Sequence, residues 1–416
     1  MRLPSLNMNL NLKLGRRSNA EVVGLDIQPG FVVAVHARVN GSVVAERAAA
    51  LPLPADTMRD GEVADVDALS DVLRELFDDS GLGKRVRVGI ANQRTVLRTL
   101  ELPPLTDQKE LAAAVRFQAQ DQVPMPLNNA VLDFHPLGIV DTPSGPRQRV
   151  VLVAAQRDMV ERLLAAVRGA GLSAEGVDLS AFALIRSLYR PDPEGSGRVL
   201  YLNVDGLTNL AIAEGTVCRF TRVVGSGLEG MAGELAVRRG IAVADAHALL
   251  SAVDLNASPQ AGSDAGPSPQ IIPDVETAQE AAPELDELEG EDDHEARERS
   301  MSYEEMTAIP QAPEPQEPAS DLEVRAVLEN GIREISGEVR NSLDFHRSQD
   351  GGGEVSHVVL SGAAQGIAGF SEALELSLGV QVRSEAVALA DTGLAGTVST
   401  HRLAVAAGLA VTEAPQ

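Results

Sequence analysis

The sequence has one cysteine, no tryptophan and few other aromatic residues. A single Cys218 excludes an internal disulfide, which suits a reducing cytoplasm. No run of eighteen apolar residues occurs, so no membrane-spanning helix is predicted. Residues 1–20 alternate leucine with asparagine and carry basic residues, a pattern too interrupted for a signal-peptide core. We interpret them as a mobile tail, with contact to a membrane surface or a partner as the alternative.

The formal charge of −25 is concentrated in one segment. Residues 254–320 hold 18 acidic side chains, two arginines and nine of the 23 prolines. Because such a segment has too little apolar surface to offset the entropy of ordering, we expect a disordered acidic insertion. The remaining sequence is mildly acidic without a basic stripe, which argues against nucleic-acid binding. A chain of 416 residues is long enough for two or more domains.

A strand-turn-strand-turn-strand pattern occurs twice. Residues 22–27 form an apolar run that ends at Gln28-Pro29-Gly30, and Asn40-Gly41 then predicts a hairpin between two further strands. Residues 199–224 repeat the pattern with turns at Asp205-Gly206 and Glu214-Gly215. The repeat predicts a duplicated α/β fold with a cleft between its halves. Backbone N–H groups of such turns can hold phosphate, and a carboxylate at a strand end can hold magnesium through water.

Other segments complete the predicted fold. Residues 357–364 are a strand that ends in small residues at Gly362, where backbone can approach a flat ring closely. Strands over residues 85–91 and 95–102 are expected to complete the first sheet. The Pro103-Pro104 pair then opens an inserted α/β piece that ends at Ala155 and contains a helix over residues 106–120. Apolar residues spaced three or four apart predict a long helix over residues 321–349.

Several short stretches in a fixed order carry a family resemblance. They are Gly24-Leu25-Asp26-Ile27, Glu101-Leu102-Pro103-Pro104-Leu105, Val123-Pro124, Leu132-Asp133-Phe134, Val151-Leu152-Val153-Ala154-Ala155 and, most specifically, Glu338-Val339-Arg340-Asn341-Ser342-Leu343-Asp344-Phe345-His346-Arg347-Ser348. In this order they resemble the PilM family of type IV pilus assembly proteins, which is related to FtsA within the actin-like ATPase superfamily. The resemblance covers residues 21–253 and 321–412.

The resemblance implies an actin-like (ribonuclease H-like) duplicated fold, with two lobes around a nucleotide cleft. Residues 21–195 would form the first lobe, with residues 103–155 as a small inserted subdomain of the FtsA and PilM type. Residues 196–253 and 321–395 would form the second lobe, and a C-terminal helix over residues 396–412 would return to the first.

The resemblance also implies a site for ATP and magnesium, although weak or lost. Asp26 would hold the metal through water. The nucleotide would contact Asp26, Gln28, Gly30, Asn203, Asp205, Gly206, Thr208, Asn209, Gly225, Gly227, Gly362 and Ala363. Simpler roles stand beside these: Asp26 capping a turn, Asn203 holding its hairpin, and Gly362 packing a strand against a helix.

The sequence differs from the family at several positions that would bind the phosphates and the adenosine. Pro29 supplies no N–H, and Val33 stands where the family has a lysine. Asn203 replaces the usual aspartate of the second loop, and Ala363 replaces a glycine of the adenosine loop. His247 and Leu250 fall where the family has an acidic residue and a lysine that contact adenosine. A histidine in such an apolar neighbourhood is more often a solvated or core-edge residue than a ligand. ATP hydrolysis is therefore expected to be absent or very slow.

Three functions remain open from the sequence. The favoured one is a cytoplasmic scaffold at the inner face of the plasma membrane, in the assembly platform of a type IV pilus or a related secretion system. The groove between the first sheet and residues 103–155 would bind the cytoplasmic tail of a PilN-like membrane protein. A pilus motor ATPase, a platform protein and self-association are further partner expectations. The alternatives are an active Mg-ATPase or an FtsA-like cytoskeletal protein of the same fold, and a sugar-kinase or chaperone relative.

Overall fold

The computed structural model describes residues 21–191, 197–257, 319–349, 352–391 and 398–415. The strands are β1 (Val23–Gln28), β2 (Phe31–Asn40), β3 (Ser42–Pro52), β4 (Met58–Arg59), β5 (Glu62–Val63), β6 (Arg85–Ile90), β7 (Val96–Leu102), β8 (Ala130–Thr142), β9 (Gly145–Gln156), β10 (Ser173–Leu179), β11 (Arg198–Val204), β12 (Thr208–Glu214), β13 (Val217–Val224), β14 (Val355–Ser361), β15 (Val382–Ser384) and β16 (Ala388–Leu389). The α-helices are α1 (Val66–Ser80), α2 (Gln108–Gln122), α3 (Arg157–Gly169), α4 (Ser180–Leu188), α5 (Leu228–Arg239), α6 (Val243–Ala252), α7 (Ala319–Ser348), α8 (Phe370–Leu378) and α9 (Ala404–Ala410).

Two sheets share one topology, as the repeated hairpins predicted. The first has the order β10-β6-β1-β2-β3-β16, and the second has the order β13-β12-β11-β14-β15. In each, three consecutive strands pair antiparallel and the first of them pairs parallel with a later strand. The duplicated α/β architecture is therefore confirmed, and the carboxyl ends of β1 and β11 occupy equivalent places.

Local sequence sets the bounds of several helices. Asp65 caps α1 by accepting hydrogen bonds from the N–H groups of Asp67 and Ala68, and Gly81 ends the helix with a φ of 64°. Asp107 caps α2 in the same way. Such residues favour the ends of helices, because a short acceptor side chain satisfies free N–H groups and glycine adopts positive φ without strain.

The inserted piece is a three-stranded sheet of order β7-β9-β8 covered by α2. Along β9, Val150, Leu152 and Ala154 pack towards α2, whereas Val151, Val153 and Ala155 join the core of the first lobe. The prediction that residues 95–102 complete the first sheet is wrong, because β7 pairs with β9. Strand propensity is local, but a strand's partner depends on contacts distant in sequence.

The C-terminal helix α9 packs on the first sheet. A Cβ added to Gly24 would overlap the backbone oxygen of Ala406, and one added to Gly408 would overlap that of Ala183. The Arg87 guanidinium donates hydrogen bonds to the backbone oxygens of Leu409 (2.7 Å) and Val411 (3.0 Å). These close approaches fix α9 between β1 and α4.

The long helix α7, which the apolar spacing predicted, packs on the second sheet. Leu328, Ile332, Ile335, Val339 and Leu343 are all buried in the core of that lobe. Gly331 lets the helix approach α5, because a Cβ there would overlap the side chain of Met231. The sequence pattern thus predicted both the helix and its buried face.

The predicted tail of residues 1–20 and most of the predicted acidic insertion lie outside the described residues. The start of that insertion was placed too early, because residues 254–257 are part of the folded second lobe. Asp254 forms an isolated parallel β-bridge with Ala368, and the Leu255 N–H donates a hydrogen bond to the Ala368 oxygen at 2.9 Å. Arg325 of α7 donates to the backbone oxygens of Asp254, Leu255 and Ala257.

Candidate functional site

Three turns meet at the carboxyl ends of β1, β11 and β14. A Cβ added to Gly206 would lie 2.5 Å from the Pro29 oxygen, so the first two turns are in contact. The Ala363 N–H donates to Asp205 Oδ2 at 3.3 Å, which joins the third turn to the second. Gly30 and Gly362 have φ values of 86° and 94°, which favour glycine. The structure therefore brings the three predicted loops together.

Asp26 is buried in β1 with 2% of its surface exposed. Its carboxylate accepts a hydrogen bond from Gln28 Nε2 at 3.2 Å. Burial, reinforced by the negative charge of Asp205, raises the pKa of Asp26 to about 7, while the Gln28 hydrogen bond opposes that rise. A desolvated carboxylate with one amide donor is poorly compensated, because burial disfavours its charged form.

Asp205 is also buried, but it has a cationic partner. Arg402 Nε lies 3.2 Å from Asp205 Oδ1. Burial raises the pKa of Asp205 to about 6, and the positive charge of Arg402 is the largest effect that opposes the rise. The same guanidinium stacks 4.1 Å from the ring centroid of Phe31, the first residue of β2. Arg402 thus fills the space between the first and second turns.

A third acidic group, Glu229, lies against the first turn. A Cβ added to Gly30 would lie 2.5 Å from Glu229 Oε2, and that oxygen is 2.7 Å from His247 Nε2. The sequence singled out His247 but not its partner. Arg402, Glu229 and Phe31 were all missed as site residues because no local motif marks them, and each reaches the site only through the packing of distant segments.

The other predicted contact residues serve the structure of the second lobe. The Thr208 hydroxyl donates to the Ser226 oxygen at 2.5 Å, so this group is already engaged. A Cβ at Gly227 would lie 2.7 Å from the Asp205 oxygen, and the Leu228 N–H donates to that oxygen at 2.7 Å. Asn203 and Asn209 are buried partners across the β11–β12 ladder. Gly225 lies farther along the cleft, facing Gln93.

The arrangement does not fit a magnesium nucleotide. A phosphate at the first turn would meet the Glu229 carboxylate, and Pro29 has no N–H to donate. The cation at the second turn, Arg402, already pairs with Asp205. Across the described part of the chain, no three histidine, cysteine or acidic side chains cluster as a metal site. A phosphate at the first turn would therefore require Glu229 to move and would find no unpaired cation in Arg402.

The inserted piece presents a different kind of surface. Strand β8 is an edge of its sheet, and Pro136 together with an irregularity at Pro136/Gly138 divides it. Phe117 on α2 is 71% exposed, and Ile139 on β8 is 63% exposed. An edge strand can pair with an extended peptide, and exposed apolar side chains add contact area.

None of the helices in the described ranges combines the length and the hydropathy that a membrane span requires.

Comparison with known proteins agrees with this architecture. Residues 24–195 match the family model described as type IV pilus assembly protein PilM. Over 94% of this chain and 98% of the other, the fold matches a solved structure described as the PilM-PilN type IV pilus biogenesis complex, with a TM-score of 0.67 and 21% identity. The predicted resemblance to the family is confirmed over residues 24–195, and the match in fold confirms the predicted actin-like architecture.

More distant solved structures were also matched. The ethanolamine utilization protein EutJ from Carboxydothermus hydrogenoformans is 14% identical, with a TM-score of 0.49 over 94% of this chain and 90% of that one. MreB5 of Spiroplasma citri bound to ADP is 12% identical, with a TM-score of 0.44 over 93% and 94%.

Proposed function

Because the resemblance to the PilM family is confirmed over residues 24–195, we propose that this chain is an actin-like scaffold of the inner-membrane platform that assembles a type IV pilus or a related secretion system. It acts in the cytoplasm and reaches the membrane through a PilN-like partner. The family match carries the proposal, and the likeness in fold to the protein of the PilM-PilN complex supports it.

The inserted piece is the proposed docking surface for the cytoplasmic tail of the PilN-like partner. Its core of Leu100, Leu111 and Val150 holds α2 on the sheet, while Phe117 stays exposed. Burying a large apolar side chain contributes roughly 1.5–3 kcal/mol, which is a useful share of the binding energy of a short peptide. Among the described strands β8 pairs only with β9, so its other edge can supply backbone donors and acceptors for an extended tail.

This docking surface is tested by titrating the full chain with a fluorescent peptide that contains the cytoplasmic tail of the PilN-like protein from the same cell. We expect Phe117→Ser and Ile139→Ser to weaken binding by about tenfold or more, since each removes roughly 1.4 kcal/mol or more of apolar contact.

Val237→Ser and Leu376→Ser are the matched controls, because both side chains are highly exposed and lie on α5 and α8 of the other lobe. They should leave peptide affinity unchanged. Equal affinity of all four variants and the wild type would refute this docking surface. Complete absence of binding to the wild type would refute the partner.

The scaffold role does not require nucleotide turnover. Phosphoryl transfer needs positioned cations and an oriented water. Here Glu229 lies over the first turn and Arg402 is paired with Asp205. Calorimetric titration with ATP and magnesium should show weak binding or none, and phosphate release should equal the background rate. Sustained phosphate release that Asp26→Ala abolishes would support an active ATPase instead.

A further inference from the structure

A short segment before α9, residues 398–403, connects the two lobes. Val398 and Leu403, at its ends, are buried in the core of the first lobe. Between them, the turn Thr400–Arg402 lies beside the loop that follows β14 in the second lobe. Because α9 is packed closely on the first sheet, any group that this segment binds in the second lobe is held in place relative to the first lobe.

His401 makes two contacts with the second lobe. Its backbone oxygen accepts a hydrogen bond from the Gly362 N–H at 3.1 Å. Its Nδ1 lies 2.5 Å from Gln365 Oε1, so the ring nitrogen donates and the amide oxygen accepts. The amide nitrogen of Gln365 donates in turn to the backbone oxygens of Leu360 and Glu385, at 3.3 and 3.1 Å. These bonds orient the Gln365 amide and attach His401 to the end of β14.

Arg402 adds a charge to the same connection. Its Nε lies 3.2 Å from Oδ1 of Asp205, a carboxylate of the second lobe whose side chain is only 3% exposed. That oxygen accepts no hydrogen bond from any described residue, so the positive charge of Arg402 is what compensates it. The stacking of the guanidinium on Phe31 holds it at the first lobe. Separating the lobes would therefore break the ion pair.

The turns of the two lobes are also in close contact. A Cβ on Gly206 would lie 2.5 Å from the Pro29 oxygen, and one on Gly30 would lie 2.5 Å from Glu229 Oε2. In both cases a group of the second lobe touches the first turn. Packing, hydrogen bonds and an ion pair thus join the lobes at this end of the cleft, and all of them come from the chain itself.

We propose that residues 398–403 are an interlobe latch that fixes the separation of the lobes independently of nucleotide. His401 supplies the hydrogen bonds, Arg402 supplies the charge, and α9 anchors both residues to the first lobe. The latch makes the arrangement of the lobes a property of the folded chain and not of a bound ligand. It goes beyond the proposed scaffold function, because it concerns the cleft and involves no residue of the surface formed by α2 and β8.

The separation of the lobes is measured on the full chain by double electron–electron resonance, with nitroxide labels attached after Val39→Cys and Val237→Cys. Val39 on β2 and Val237 on α5 are exposed, whereas the native Cys218 is buried. Asp205→Asn is the main variant, because it removes the charge and keeps the size of the side chain. At pH 8 we expect Asp205→Asn and Arg402→Ala to broaden the distribution of label distances and to move its mean by several ångströms.

Two comparisons should leave the distribution unchanged. One is Arg333→Ala, an exposed arginine on α7. The other is the addition of ATP and magnesium to the wild type, because the chain's own groups set the separation. Wild-type distributions in both Asp205→Asn and Arg402→Ala, or a shift of the wild type on addition of nucleotide, would overturn the latch.

Hydrogen exchange gives a second measure that needs no labels. The Gly362 amide, which donates to His401, should exchange at least tenfold faster in Arg402→Ala than in the wild type, and at the wild-type rate in Arg333→Ala. Equal exchange in all three proteins would contradict the latch. Circular dichroism checks that each variant is folded. Binding of the PilN-like tail is measured separately, so that the latch and the scaffold role can fail independently.

Discussion

Arg402 lies 3.2 Å from the buried carboxylate of Asp205 and stacks 4.1 Å from the ring centroid of Phe31. One side chain near the C-terminal helix thereby joins the second turn of one lobe to the first strands of the other. The guanidinium neutralises a buried acidic group at the second turn, so this centre is stabilised by the protein's own charges.

Replacing Arg402 with alanine should destabilise the fold by about 2 kcal/mol at pH 8. Removing one partner of a fully buried ion pair costs ~3–5 kcal/mol. The cost should be smaller here because the Arg402 side chain is partly exposed, although the Asp205 carboxylate that remains is buried. Chemical unfolding at pH 8 and pH 5 measures the change. The loss should be smaller at pH 5, where Asp205, with its pKa of about 6, takes up a proton.

Two variants test the cause of this loss. Asp205→Asn in the Arg402→Ala background should recover most of the stability, because no buried charge then remains. Arg333→Ala, at an exposed position on α7, should be neutral. If the double variant is no more stable than Arg402→Ala alone, packing and not charge explains the loss.

Asp26→Asn should stabilise the protein above pH 7. The folded state binds this proton more tightly than the unfolded state, since the pKa is raised from 3.8 to about 7. The free energy of unfolding contributed by Asp26 therefore falls as the pH rises from about 4 to 7. Because asparagine does not titrate, the variant avoids this loss of stability. The loss amounts to at most about 4 kcal/mol, at roughly 1.4 kcal/mol per pKa unit. Thermal unfolding from pH 4 to 8 measures it, and Asp121→Asn, which is exposed, is the control. Parallel pH profiles for Asp26→Asn and the wild type would contradict the assignment.

Two glycine substitutions should have opposite effects. Gly24→Ala should cost at least about 2 kcal/mol, because the new methyl group would overlap the Ala406 backbone and push α9 from β1. Gly233→Ala lies within α5 with open space around it and should gain about 1 kcal/mol of helix stability. Urea unfolding compares them, and a neutral Gly24→Ala would show that α9 can shift without loss.

Residues 258–318 should be replaceable by a short glycine-serine linker with little change in melting temperature, since the closure entropy of a long loop grows slowly with its length. Arg325 donates to the Ala257 oxygen at 2.6 Å, so the chain before the deletion lies beside α7. A fall of about ten degrees on deletion would show that the removed segment stabilises the fold.

Arg325→Met, by contrast, should reduce the free energy of unfolding by about 1–3 kcal/mol, because it leaves three carbonyl oxygens without this donor.

The sequence by itself determined the elements and their repetition. Alternating or continuous apolar residues predict β1, β2 and β11, and Asp65, Gly81 and Asp107 predict where α1 and α2 begin or end, because these signals act over a few residues. The repeated hairpins predicted that the two sheets are equivalent. The fold implied by the family resemblance predicted that the three turns lie together.

Only the tertiary structure decided which groups occupy the cleft. Asp26 and Asp205 could be named from the sequence, but Arg402, Glu229 and Phe31 reach them from separate segments, and no local pattern records that approach. The same reason assigns β7 to the inserted sheet. Short-range periodicity selects helices and strands, whereas the partner of a strand or a buried charge depends on how distant segments pack.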